Sequence, residues 1–492
     1  MERIAALYCQ LEISEKHALK KSLKTIARKK KNKYLQLLRM LERNPGLDLA
    51  QAAKGLYGTP RSKAFLMLKT RLWKRMLDII IQRSSCRKRL TYREKIPEML
   101  QSVAASCEIL SRGMEGLGLE TLRDALRETG EYSAMEIRLL VLNNIRRIQI
   151  SRSDAAAKAT WTEMEKAVNT LSSELAALKI LDTFKYELGW NAGAGRVAEF
   201  LEMHIPVLEN AMADCSSPLP RYVYLNLRHQ QLMMEGKISE CRENIGQMIN
   251  LMNSHPRLND ESWMGIALTH LASAEIMAAN YNEALLASRK ARAFFTKDTR
   301  NLIVAGLIEC RALHHLGNCR LSEAYLDDLR TLAKESSRPH FAFVIAFQSA
   351  CNQFRLDEFN GAMAQTETAL SFNLADPEWN AGIRILQIMI LVEKRSYEVA
   401  SSRIENLRKH ISKHGASERF RMIYKILASL ERNSFLFKPF LKETEYLEAL
   451  EIRFIWTAFT CETIRFDEWY RLRREKFAVN IAADPASRYG RR

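Results

Sequence analysis

Leu268–Phe295, LTHLASAEIMAANYNEALLASRKARAFF, is the stretch of this sequence that decides its fold. Apolar and small residues recur there at helical spacing on both sides of Asn280, and this pattern predicts two helices joined by a short polar turn. Ala284 and Ala291 fall where neighbouring helices would cross too closely for a larger side chain. The stretch therefore predicts a closely packed pair of α-helices.

The same short pattern, an apolar or aromatic residue followed three positions later by a small one, recurs along the chain. Its members are Ile238/Cys241, Tyr281/Ala284, Leu321/Ala324, Phe359/Ala362 and Tyr397/Ala400. The small residues are 43, 40, 38 and 38 positions apart, and near-constant spacing of this kind indicates stacked repeats. The predicted helix pairs are 263–279 with 281–295, 303–316 with 320–332, and 341–354 with 358–370.

These repeats resemble the tetratricopeptide repeat. Leu271-Ala272, Asn280-Tyr281, Ala284 and Ala291 stand at matching positions of that family, and Phe359, Ala362 and Ala369 repeat the later part of the match. The period is longer than the family's roughly 34 residues, and the closing proline is missing, so the repeats are tetratricopeptide-like. The resemblance implies an all-α fold, a right-handed α-solenoid of such helix pairs over residues 195–480.

Aromatic residues mark the end of this array. A terminal helix from Tyr446 to Phe477 is predicted to seal the last repeat as a capping helix, or otherwise to dock a partner. Residues 481–492 show no periodicity and are predicted to form a flexible tail. Residues 96–194 are predicted to form a linking helical bundle or degenerate repeats.

The positive charge of the chain is confined to its first fifth. The 492 residues carry a formal net charge of +18, from 75 Lys and Arg against 57 Asp and Glu. Residues 1–95 hold 25 of the basic and 7 of the acidic side chains, so the remaining residues are balanced at 50 of each. A localised positive field is directed at a partner, most often a phosphate backbone, because interspersed charges suffice for solubility.

Three helices are predicted in this basic segment: Tyr34 to Leu41, a short one after an Asp48 cap, and an amphipathic one from Pro60 to Gln82. The apolar stripe of the third helix is Phe65, Leu68, Leu72, Met76 and Ile79. Leu47–Leu72 resembles the second and third helices of winged-helix and helix-turn-helix families. We expect a small basic, helix-turn-helix-like domain over residues 1–95.

The helix-turn-helix resemblance implies that the start of the third helix meets base edges or phosphates, with the earlier lysines near the backbone. The candidate contacts to DNA or RNA are Lys29, Lys30, Lys31, Lys33, Arg61, Ser62, Lys63, Lys69, Arg71, Lys74 and Arg75. Docking on an acidic protein, a structural cap with a cationic surface, and a merely solvated basic arm remain open as alternatives.

A solenoid of this kind ordinarily holds a protein or peptide in its groove. The candidate groove residues are polar positions on the first helices of the repeats: His229, Gln230, His270, Glu309, Arg311 and Gln348. In order and type of domains the chain resembles bacterial peptide-sensing regulators, which couple a helix-turn-helix to tetratricopeptide repeats. That resemblance implies a regulator or adaptor that binds nucleic acid and a peptide, and allows a homodimer. The rivals are a pure scaffold in a multiprotein assembly and an RNA-associated factor.

No enzyme signature is present in the sequence. There is no Gly-x-x-x-x-Gly-Lys loop, and no cofactor is predicted. Cys310, His314, His315 and Cys319 fall within ten residues but lack a familiar zinc spacing, so core packing explains them better than a metal site. The nine cysteines include no Cys-x-x-Cys pair, and no apolar run is long enough to span a membrane. We therefore expect a non-enzymatic protein with reduced thiols in the cytoplasm.

Overall fold

The structure is a computed structural model, and it describes residues 4, 7–9, 11–26, 32–44, 48–60, 62–84, 92–150, 154–188, 194–213, 215–295, 299–336, 339–372, 377–438, 441–454, 456 and 461–483. Helices joined by short turns dominate these residues, and no strand occurs among them. The chain divides into two compact units, Met1–Ser172 and Ser173–Arg492. The predicted all-α class is confirmed.

Helices of the first unit pack in sequence order, and the opening four share one hydrophobic core. Their bounds are α1 Ile13–Ile26, α2 Lys33–Arg43, α3 Leu49–Tyr57, α4 Lys63–Ser84, α5 Tyr92–Ser111, α6 Glu115–Glu131 and α7 Met135–Gln149, and α8, Asp154–Thr183, spans the division between the units. The separate linking region over residues 96–194 remains a prediction.

The apolar stripe predicted on the third basic helix is the buried side of α4. Phe65, Leu68, Leu72, Met76 and Ile79 are each less than 5% exposed. The predicted start at Pro60 is wrong, because α4 begins at Lys63 and Ser62 receives a hydrogen bond from the Phe65 amide. Asp48 stands at the N-cap of α3 in extended backbone but makes no capping bond through its side chain.

The second unit is an α-solenoid of tetratricopeptide-like helix pairs. First helices are α10 Pro218–Met234, α12 Glu261–Met277, α14 Thr299–His315, α16 Pro339–Arg355, α18 Pro377–Glu393 and α20 Glu418–Arg432. Second helices are α11 Ile238–Ser254, α13 Tyr281–Phe294, α15 Cys319–Ser336, α17 Phe359–Ser371, α19 Tyr397–His414 and α21 Leu441–Ile452. Helix α9, Ala194–Ala213, precedes them, and α22, Phe466–Ala483, follows.

First helices of successive pairs touch one another as well as their own partners: α12 packs on α14, α14 on α16, and α16 on α18. Some side chains of α12, α14, α16, α18 and α20 face the described residues between α21 and α22. We call these side chains the first-helix surface. The three helix pairs predicted from the sequence are confirmed to within a few residues.

Small residues sit at the helix crossings, as the repeat pattern predicts, with one correction. Cys241, Ala284, Ala362 and Ala400 are completely buried. Ala324, by contrast, is exposed, and Ser322, two positions earlier on the same helix, is completely buried. Because α15 begins at Cys319, its inward positions are shifted by two residues from the predicted Leu321/Ala324 pair.

The single terminal helix predicted from Tyr446 to Phe477 is wrong. Helix α21 ends at Ile452 and α22 begins at Phe466, and the described residues between them are not helical. Helix α22 continues to Ala483, so the predicted tail from residue 481 begins too early, and its residues 484–492 lie outside the described part of the chain. The break removes Trp456 from the predicted helix face and sets it on the repeats.

Candidate functional site

Residues 454–465, between α21 and α22, are here called the C-terminal segment. Its described residues, 454, 456 and 461–465, contact the first-helix surface. Cys461, Glu462 and Thr463 are each no more than 5% exposed. Their contacts fall on residues far back in the sequence, on α16, α18 and α20. A non-helical stretch of chain is thus held by helices of three different repeats.

Gly382 marks the closest approach of the segment to a first helix. A β-carbon at this position would lie 3.0 Å from the carbonyl carbon of Cys461 and would overlap the carbonyl oxygen. The Cys461 thiol donates to the Glu378 carbonyl, one turn earlier on the same helix, at 3.0 Å. Only glycine at residue 382 lets the backbone of the segment reach α18 this closely.

Arg419, at the start of α20, holds the acidic part of the segment. Its guanidinium donates through Nε and Nη2 to both carboxylate oxygens of Glu462, with Nη2 at 2.8 Å, and Nη2 also reaches Asp467 at 2.8 Å. Its Nη1 donates to the Phe454 carbonyl at 2.6 Å. Burial raises the pKa of Glu462, and the Arg419 charge opposes that effect. This fork-to-fork geometry is a strong and directional form of carboxylate recognition.

Trp456 provides the aromatic part of the same contact. Its ring centroid lies 5.6 Å from that of His315 on α14 in an edge-to-face arrangement, and the ring packs against the core of the neighbouring repeats. The indole Nε1 donates to the Glu462 carbonyl at 2.7 Å. On its other side His315 stacks on Tyr281, with centroids 4.7 Å apart.

Two of the predicted groove residues form a histidine pair nearer the start of the solenoid. The rings of His229 on α10 and His270 on α12 lie 3.8 Å apart between centroids, and Gln230 lies 2.9 Å from the His229 Nε2. Burial lowers the pKa of His270 to about 4 and that of His229 well below its ordinary value. The imidazoles are therefore neutral at physiological pH.

The other predicted groove residues are buried, but for different reasons. Glu309, 1% exposed, accepts from Arg289 at 2.9 Å and Arg292 at 2.6 Å, and so joins α14 to α13. Arg311 lies near Cys351 and Cys461, and burial lowers the pKa of its guanidinium. Gln348, 2% exposed, donates to Asn352 at 3.4 Å. Of this set, Arg311 faces the C-terminal segment.

The Cys310, His314 and Cys319 cluster is part of the core between α14 and α15. Each side chain is at most 2% exposed. His314 Nδ1 lies 2.9 Å from the Asn352 side-chain oxygen, and the Cys310 thiol donates to the Ser322 carbonyl. Among the described residues no group of His, Cys, Asp and Glu could hold a metal ion. Their burial and hydrogen bonds make these side chains part of the packing between the two helices.

Some of the candidate nucleic-acid residues make contacts within the protein, and others are exposed. Lys33 Nζ lies 3.5 Å from the centre of the Tyr57 ring, and Arg75 Nε donates to the Ser22 hydroxyl at 2.6 Å. Lys63, Arg71 and Lys74 on α4 are exposed, whereas Ser62 and Lys69 are half-buried. Lys29, Lys30, Lys31 and Arg61 lie outside the described residues.

The exposed cations of α4 share one face. At about 100° of rotation per residue, Lys63, Arg71 and Lys74 fall within an arc of about 80°, with Lys69 on the opposite side. Met67, 57% exposed, lies in the same arc. Asp78 follows one turn later, where Arg75 approaches it at 3.7 Å. This unit therefore presents a short cationic stripe that includes an apolar side chain.

Comparisons with known proteins give a fold likeness alone. No family model matches the sequence, and no curated protein matches it. The crystal structure of the apo form of RapI matches 68% of this chain and 87% of its own, with 10% identity and a TM-score of 0.40. That of the APC/C hetero-tetramer Cut9-Hcn1 matches 88% and 89%, with 14% identity and a TM-score of 0.39. These likenesses add nothing to what the helices of this chain show by themselves.

Arg419, Gly382 and Glu462 are the residues that sequence reasoning missed, and Trp456 was assigned to the aromatic face of the predicted terminal helix. The pattern that could have found the break is a run of aromatic and threonine residues, FIWTAFTCETIRF, between the two polar helices. β-Branched and aromatic residues favour extended backbone over helix. Among the described residues no helix is long and apolar enough to cross a membrane.

Proposed function

We propose that this chain is a non-enzymatic regulator or adaptor that binds a protein or peptide segment on the first-helix surface of its solenoid. The observation that carries this proposal is the placement of the C-terminal segment, a non-helical stretch held there by Arg419, Cys351 and Gly382. A surface that binds one such stretch has the shape and donors to bind another. The histidine pair at His229 and His270 joins first helices α10 and α12.

Selection of peptides on the full-length chain tests this proposal. Random 12-residue peptides displayed on phage are enriched on the wild-type protein and then measured against two aspartate variants. His315→Asp changes the first-helix surface where it meets Trp456, and Leu286→Asp changes an exposed residue, 51% accessible, on second helix α13. We expect selected peptides to lose at least about tenfold in affinity, about 1.4 kcal/mol, on the first variant alone. Equal binding to both variants, or no enrichment, would contradict the proposal.

A second function is proposed for the first unit, the binding of DNA or RNA by the cationic stripe on α4. It is supported by the shared arc of Lys63, Arg71 and Lys74 and by the charge excess of residues 1–95. Each lysine or arginine that contacts a phosphate releases counterions, so binding weakens as salt rises. The helix-turn-helix identity of this unit and the homodimer remain predictions.

Gel shifts at increasing salt, with single-stranded and duplex DNA and RNA, measure this second function. Changing Lys63, Arg71 and Lys74 together to Glu should reduce the slope of log affinity against log salt by about 2 to 3. The matched control carries the same charge change at exposed positions of the second unit: Lys179, Lys290 and Arg320. Equal losses in both variants would show a general charge effect. No affinity at low salt would favour the rival scaffold, in which an acidic protein meets the stripe around Met67.

A further inference from the structure

We infer that the C-terminal segment is an intramolecular ligand of the first-helix surface, displaced by a partner peptide that presents a tryptophan and a glutamate to the same sites. This inference rests on the proposed function and names the partner's chemistry. The residues that define it are Trp456 at His315 and Glu462 at Arg419.

The polar contacts of the segment are those of a recognition site. Glu462 is 5% exposed and accepts two guanidinium bonds from another repeat as well as the Phe466 amide. Arg419 Nη1 donates to the carbonyls of Leu450 and Phe454, which fixes the start of the segment through its main chain. The Arg419 charge thus selects a carboxylate side chain, and its bonds to main-chain carbonyls place no requirement on the neighbouring residues.

The fit of the segment is incomplete, which leaves room for a better ligand. His315 Nε2, on first helix α14 beside Trp456, is buried without a hydrogen-bond partner among the described residues. A buried polar atom without a partner is unfavourable. A partner that pairs with His315 Nε2 would therefore bind better than the chain's own segment.

Partner chemistry follows from these sites. The partner is a non-helical peptide with an indole or similar ring for the place beside His315 that Trp456 now takes. It carries a carboxylate for Arg419, and its backbone passes close to α18 at Gly382. A hydroxyl beside the Cys351 thiol, where Thr463 now lies, completes the match.

Attachment in the same chain makes the segment a strong competitor. A short tether gives an effective concentration of about 1 mM. A surface that binds the isolated segment with a Kd of about 10 μM would then be occupied about 100 to 1, and an added peptide would show about 100-fold weaker apparent affinity. Release of the segment should restore that affinity.

The test uses full-length protein and a fluorescent peptide with the sequence of residues 454–465, FIWTAFTCETIR. In the released chain, Trp456→Ala with Glu462→Gln, fluorescence anisotropy should show at least about tenfold tighter binding than in wild type. Adding Gly382→Ala to the released chain should abolish the gain, because the new β-carbon occupies the path of the peptide backbone. A peptide with both the tryptophan and the glutamate replaced by alanine should not bind the released chain.

A reversible lock provides a second route if the released chain loses its helical circular dichroism. Thr463→Cys places a thiol beside Cys351, and oxidation should fasten the segment to α16. In this variant the peptide should bind with the wild-type affinity after reduction and more weakly after oxidation. Equal binding in the two states would overturn the inference.

Failure of this inference can be told from failure of the proposed function. A folded, released chain that does not bind the peptide, yet binds the phage-selected peptides as wild type does, would overturn the inference alone and make the segment a fixed part of the core. A released chain that binds neither kind of peptide would overturn both.

Discussion

Gly382→Ala is the sharpest single test of how the C-terminal segment meets the repeats. The added β-carbon would lie 3.0 Å from the Cys461 carbonyl carbon, where ordinary contact is 3.4 to 4 Å. The neighbour is backbone on a buried stretch, so it cannot rotate away as a side-chain tip would. Overpacking of this kind costs about 1 to 3 kcal/mol. Replacing glycine inside a helix returns up to about 1 kcal/mol of that.

Gly246→Ala is the matched control. Gly246 also lies inside a helix, α11, but a β-carbon there would meet nothing within 4 Å. The control should gain about 0.4 to 1 kcal/mol, because alanine reduces the entropy of the unfolded chain without a clash. The difference between the two variants therefore measures the contact with Cys461 and should be about 1 to 3 kcal/mol.

Two measurements decide the outcome. Urea unfolding followed by circular dichroism gives the stability difference between the variants. Hydrogen exchange with mass spectrometry should show faster exchange over residues 461–467 in Gly382→Ala and no change there in Gly246→Ala. If both variants gain equal stability and residues 461–467 stay equally protected, the backbone of the segment does not lie on α18 and the reasoning is refuted.

Three further substitutions probe the second unit. Arg419→Ala should lower the free energy of unfolding by about 3 to 5 kcal/mol, because it leaves Glu462 buried without its cation. As a control, Arg408→Ala breaks an exposed ion pair, and its thermal melt should match that of wild type. Burial lowers the pKa of His314 to about 3. The stability due to its neutral form is therefore complete above about pH 6.5 and is lost as pH falls toward 3, at up to about 1.4 kcal/mol per pH unit. In urea unfolding at different pH values, His314→Gln should flatten the stability profile over this range. Gly265→Ala should lower the melting temperature, because its β-carbon would lie 2.7 Å from a buried phenylalanine ring and overpacking of this kind costs about 1 to 3 kcal/mol of stability. An unchanged melt would show that the ring moves aside.

Local spacing was enough to predict most of the fold. Helix pairs such as Tyr281–Phe294 after Glu261–Met277 follow from apolar periodicity and a polar turn, which depend on neighbours in the chain. The stripe of α4 was predicted for the same reason. The sequence placed Ala324 at the helix crossing of α15, whereas Ser322 is the residue buried there. Both residues are small, so size and spacing do not distinguish them.

Candidate groove residues were predicted less well than the helices that carry them. The sequence placed Glu309 and Gln348 on first helices, but a polar residue there can point to a partner, to the next helix or into the core. Glu309 pairs with two arginines of α13, and Gln348 meets Asn352 of its own helix. The direction in which such a side chain points depends on its neighbours in space, and the order of residues in the chain does not give those neighbours.

The sequence by itself determined the helical class, the repeat period and the confinement of positive charge to residues 1–95, because each is a property of nearby residues or of a count. Only the tertiary structure decided that Trp456 and residues 461–465 lie outside any helix and pack on the repeats. Cys461 meets Glu378 across 83 positions, and Arg419 meets Glu462 across 43. Contacts over such separations leave no period in the sequence, so only the packed chain brings these residues together.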